Sequence, residues 1–131
     1  MAKWLPESAI RTIHGELMVE HGGLAGSENE NMLGATLARP QHLEAYNNLT
    51  PSIFQLAASY SFGFARNHCF KDGNKRVALA SIDVFLIMND YELVAEEADA
   101  VFTIEALASG DLTEDELTQW IETNSQLLER G

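Results

Sequence analysis

The stretch from Ser52 to Asp90, "SIFQLAASYSFGFARNHCFKDGNKRVALASIDVFLIMND", holds two apolar runs separated by a charge-rich segment. In the first run Ile53, Leu56, Ala57, Tyr60 and Phe64 recur at spacings of three and four, which predicts a mostly buried helix over 52–66. Gly63 is an unfavourable helix residue within it. After the charged segment, Leu79, Ile82, Phe85 and Leu86 set out one side of a second apolar helix. Two buried helices joined by a charged loop, "HCFKDGNKR" at 68–76, predict the centre of an all-α fold.

The flanks add further helices. Leu5-Pro6-Glu7 places proline in a first turn, and Ile10, Ile13 and Leu17 follow at helical spacing, so a helix is predicted over 6–20, ended by Gly22-Gly23. Ser27 with Glu30 has the capping-box form and opens a short helix, with Met32, Leu33 and Leu37 on its apolar face, that stops before Pro40. Residues 41–50, "QHLEAYNNLT", carry neither period and read as a loop or short β-hairpin, with Thr50-Pro51 capping the helix that follows. "YELVA" after Asp90 reads as a short strand, and a helix over 97–109 stops at Gly110. Thr113 and Glu116 form a second capping box, opening a last helix through about Leu128. With 131 residues, 46% of them hydrophobic, the chain is expected to form a single domain over 1–131.

Charge narrows the function. A formal net charge of −12 argues against nonspecific binding to nucleic acid or an anionic membrane and points to nucleotides and proteins as partners. The start has no signal-peptide pattern, no apolar stretch is long enough to cross a bilayer, and Cys69 has no second cysteine to pair with, so the expected location is cytoplasmic. Yet four of the eight basic residues, Arg66, Lys71, Lys75 and Arg76, fall within one short segment, and none follows between Val77 and Glu129. Such a cluster is either a solvated face or a seat for a polyanion.

The loop residues suit the second alternative. A helix opened by Lys75 leaves backbone N–H groups unpaired at its positive end, and Gly73 and Asn74 let an anion approach them. Lys75 and Arg76 flank that seat with cations suited to a di- or triphosphate. Asp72 supplies a carboxylate for Mg²⁺, an ion held by one or two carboxylates plus phosphate oxygens and water. His68 stands at the other end as a base for an incoming hydroxyl, and Phe70 is expected to turn into the core and anchor the loop. The spacing is not that of a Walker loop. His14, His21 and His42 are too scattered for a metal site, and Asp83, among apolar neighbours, faces solvent or pairs with a cation such as Arg66.

"HCFKDGNKR" resembles the signature of the Fic/Doc superfamily, histidine-x-phenylalanine-x-acid-glycine-asparagine followed by a basic pair or Gly-Arg. "GGLAG" at 22–26, "LARPQ" at 37–41 and "FLIMNDY" at 85–91 resemble segments of its death-on-curing (Doc) branch in order and spacing. The resemblance implies a compact Fic-type helical bundle that uses ATP and Mg²⁺. By position it makes His68 the general base, Phe70 the anchor and Asp72 the metal ligand. Gly73 and Asn74 would form the anion seat, Lys75 and Arg76 would hold phosphates, and 41–50 would be a flap that takes the target peptide as an added strand. Members that transfer AMP resemble Gly-Asn-Gly-Arg-x-x-Arg, whereas this chain has Lys75 for that glycine and Leu79 for the second arginine.

Both departures match Doc-type toxins. These imply transfer of the γ-phosphate of ATP to a threonine of a translation protein such as elongation factor Tu, with neutralisation by a separate antitoxin protein. The stretch Ser125–Glu129 lacks the last position of the inhibitory helix that AMP-transferring relatives carry, which agrees with inhibition by a separate chain. The alternatives are a Fic-type AMP transferase and a non-catalytic phosphate-binding module. Cys69 stands where the family has proline, and "SENEN" at 27–31 replaces an arginine-acid pair.

Overall fold

The computed structural model describes residues 2–24, 26, 29–46 and 50–129. Six helices and one two-stranded sheet follow in the order α1 (Glu7–His21), α2 (Glu30–Tyr46), α3 (Ile53–Arg66), α4 (Asn74–Met88), β1 (Tyr91–Leu93), α5 (Glu97–Ser109), α6 (Glu114–Thr123) and β2 (Ser125–Leu127). The all-α class expected from the two apolar runs is the one observed.

α3 is the central element. From Leu56 to Phe64 only Phe62 escapes full burial, because the helix is covered by α2, α4, α5 and α6. Gly63 has a steric reason: a Cβ there would lie 2.6 Å from Cγ2 of Thr36, so the absent side chain lets α2 approach closely. α4 packs against α3 and buries Val77, Ala78, Ser81, Ile82, Phe85 and Leu86. Tyr60 and Phe85 meet between the two helices, ring centroids 5.2 Å apart, and the Tyr60 hydroxyl accepts from the Leu5 N–H at 3.1 Å.

Several boundaries differ from the sequence reading. α2 does not stop before Pro40 but runs to Tyr46, so 41–46 is helix and not a hairpin; 47–49 lie outside the described residues. Leu33, Thr36 and Pro40 form a buried stripe, Leu43 continues it against the core, and His42 meets Tyr46 edge-on one turn later. An interior helical proline costs about 3 kcal/mol, and here it is offset by burial of that stripe on α3. The expected cap Ser27 lies outside the described residues; Asn29 Oδ1 accepts from the Met32 N–H at 3.1 Å, and Glu30 pairs with Arg11. α3 is capped by Ser52 with Gln55, not by Thr50. The last helix stops at Thr123, and Ser125–Leu127 pairs antiparallel with Tyr91–Leu93, Tyr91 opposite Leu127. The stretch Ser125–Glu129 is therefore not helical. The capping box Thr113–Glu116 and the Gly110 stop are as read from the sequence.

Candidate phosphate-transfer site

The loop between α3 and α4 is fixed by its own side chains. Asn74 Oδ1 accepts from the Phe70 N–H at 3.0 Å, and its Nδ2 donates to the Phe70 carbonyl at 2.9 Å, so one side-chain amide closes the loop onto both backbone polar groups of one residue. Phe70 is buried, turned into the core as expected of the one aromatic in the loop. Its neighbour Cys69 is also buried, with Sγ 3.3 Å from the Thr36 hydroxyl, and burial pushes the thiol above its ordinary range. Asn67 donates to the same Thr36 oxygen at 3.0 Å, so α2 anchors the loop entry through one threonine.

Between these anchors the polar residues face outward. His68 is exposed and holds φ at +49°, in the left-handed region that side-chain-bearing residues seldom adopt. Gly73, at φ +78°, is the N-cap of α4 and offers no side chain to the first-turn N–H groups. Lys75 and Arg76 stand exposed on that first turn, where the helix dipole adds to their charge, and among the described residues neither is ion-paired. Asp72 turns Oδ1 back to accept from the Gly73 N–H at 2.8 Å, so one donor of the expected anion seat is already used.

Two clefts meet over this ridge and share Asp72, Gly73, Asn74, Lys75 and Glu105 in their walls. One, about 470 Å³, adds Arg76 and an apolar wall of Leu79, Val101 and Ile104. The other, about 500 Å³, adds His68, Arg66 and Ser109. Leu79, read as a core residue, is thus also a cleft residue. Arg66 does not pair with Asp83: it lies over the Phe62 ring at 5.2 Å and reaches the Leu107 carbonyl at 3.5 Å, while Asp83 is exposed.

The sequence reading missed one residue under the loop. His14 on α1 is only 3% exposed, its Nε2 lies 2.8 Å from the Asp72 carbonyl, and its ring stacks on Phe70 at 3.9 Å and 11°. The available signal was its four-residue spacing from Ile10 and Met18 on an otherwise apolar stripe. His21 reaches the Arg76 side of the clefts and His42 a separate surface cleft beside Arg39, so the three histidines do not converge. Among the described residues no three His, Cys, Asp or Glu side chains form a metal cage. The chemistry of a carboxylate, that of Asp72, beside the expected anion seat would suit Mg²⁺, which takes few protein ligands.

The model of the Fic/DOC family matches residues 4–86, which include the whole loop. Protein kinase doc of Escherichia phage P1 is 33% identical over 108 residues, 82% of this chain and 83% of the relative. Toxin Doc of Mycolicibacterium smegmatis is 35% identical over 78 residues, 60% of each chain. A family model spanning more than half of the sequence, and a relative matched over most of both lengths, establish that the chain belongs to the Fic/DOC family.

Proposed function

We propose that the protein is a Doc-like toxin that moves the γ-phosphate of ATP to a threonine hydroxyl of a translation protein such as elongation factor Tu, and that a separate antitoxin protein neutralises it. The observation that carries the reading is the pair of clefts meeting over the uncapped start of α4, with the exposed His68 on one side and Arg76 on the other. The names of the two relatives, a protein kinase and a toxin, support the same class.

In this reading ATP lies with its phosphates over the Gly73–Arg76 turn, where the free N–H groups of the helix start and the side chains of Lys75 and Arg76 neutralise charge. Asp72 holds Mg²⁺, which supplies charge neutralisation on the phosphate oxygens. The threonine hydroxyl enters beside His68, whose imidazole accepts its proton as the oxygen bonds to the γ-phosphorus. The bond from that phosphorus to the bridging oxygen breaks, and ADP leaves with the electron pair. Lys75 and Leu79 favour phosphoryl over adenylyl transfer: a lysine fills the space of the AMP-transferring glycine, and an apolar side chain lines the cleft in place of a second phosphate-binding arginine.

A cell-free translation extract tests the reading. Protein added with Mg²⁺ and ATP is expected to stop synthesis and to leave a new phosphothreonine on a translation factor, found by mass spectrometry. His68→Ala is expected to do neither. Equal inhibition by that variant would overturn the assignment.

A further inference from the structure

We infer that His14 is a positioning residue for the transfer site, holding the Phe70–Gly73 segment so that the Asp72 carboxylate and the first turn of α4 face the clefts. The inference rests on the phosphate-transfer reading above. A polar ring that is 3% exposed on an apolar helix face is costly unless a partner compensates it. Both partners of His14 are in the loop, 58 residues away for Asp72: Nε2 at 2.8 Å from the Asp72 carbonyl and the ring stack on Phe70. A carbonyl only accepts, so Nε2 carries the proton.

Met18 on α1 and Gly23 just beyond its end continue the same support. A Cβ on Gly73 would lie 2.2 Å from Cε of Met18 and 3.8 Å from Cδ2 of His14, and one on Gly23 would lie 2.9 Å from Oδ2 of Asp72. His14, Met18 and Gly23 thus form a floor under Phe70, Gly73 and Asp72. The backbone of the metal-binding candidate is fixed from below by a hydrogen bond, while its carboxylate, with Oδ1 turned to the Gly73 N–H, borders both clefts. Ordinary core packing would require only the ring; control of Asp72 requires the donor.

Two substitutions separate these roles. His14→Phe keeps the ring and removes the donor; His14→Gln keeps a donor near the Nε2 position and gives up the stack. For His14→Phe the Mg²⁺ concentration giving half-maximal transfer, and the dissociation constant of manganese(II) measured by electron paramagnetic resonance with a non-hydrolysable ATP analogue, are each expected to rise about tenfold, the lower end for lost outer-shell support. KM for the protein target is expected to hold, and His14→Gln to stay within about threefold of wild type. Hydrogen exchange at the Phe70 and Gly73 amides is expected to quicken in His14→Phe, a readout independent of transfer.

Wild-type metal dependence and amide exchange in a folded His14→Phe protein would overturn the inference. Should that variant fail to fold, His14→Gln decides alone, and a loss of tenfold or more in manganese binding would overturn it. If the wild-type protein binds no ATP analogue at all, the transfer reading fails, and exchange at Phe70 and Gly73 alone decides whether His14 holds the loop.

Discussion

At the residue scale the site depends on a few atoms whose removal has separate consequences. His68→Ala deletes the proposed base and is expected to lower transfer by about 10²- to 10⁴-fold, with little change in thermal midpoint because the side chain is exposed. Gly73→Ala places a side chain at φ +78° and against Met18, and the left-handed backbone alone costs about 1–2 kcal/mol; denaturant titration is expected to show at least that loss. The burial of Phe70 and the outward placement of Asp72 and Lys75 were legible because "HCFKDGNKR" sets one aromatic among polar and charged residues in one short segment. His14 was not, since its hydrogen-bond partner Asp72 lies 58 residues away and its own neighbours mark only a helix face. The bond from the Gly73 N–H to the preceding Asp72 side chain was not legible, because it leaves no periodic trace.

At the element scale caps and long-range pairings control what was readable. The boxes Ser52–Gln55 and Thr113–Glu116 each satisfy helix-start N–H groups through reciprocal bonds. Thr113→Ala is expected to cost about 1 kcal/mol in chemical denaturation. Glu116 is held below the usual carboxylate range chiefly by its bond with the Thr113 backbone, so its contribution is present above its unfolded pKa and is lost as pH falls through the lower folded one. The Thr113 box was visible as a local four-residue pattern. The strand Ser125–Leu127 was not, because its partner Tyr91–Leu93 lies more than thirty residues earlier and an acidic, weakly periodic tail also fits a helix. Pro40 misled for a related reason: proline is a helix breaker locally, and only its place on the buried stripe with Leu33 and Thr36 shows why α2 continues.

At the scale of the whole molecule, buried acids of the core oppose alkaline conditions. Burial raises the Cys69 thiol and the Tyr60 hydroxyl above their ordinary values of 9.0 and 10.0. Their stabilisation is complete below the unfolded pKa and declines as pH rises through the folded one, so thermal midpoints are expected to fall above about pH 9, less steeply in Cys69→Ala. The distribution of charge over the chain is legible from sequence, and the fold gives it a place: the exposed Lys75 and Arg76 stand at a helix start in an otherwise acidic molecule. The most direct test supplies the protein with Mg²⁺, a translation extract and ATP labelled at either the α or the γ phosphorus. The expected result is label on a protein target from γ alone; label from α would assign the chain to adenylyl transfer and contradict the proposed orientation of the nucleotide.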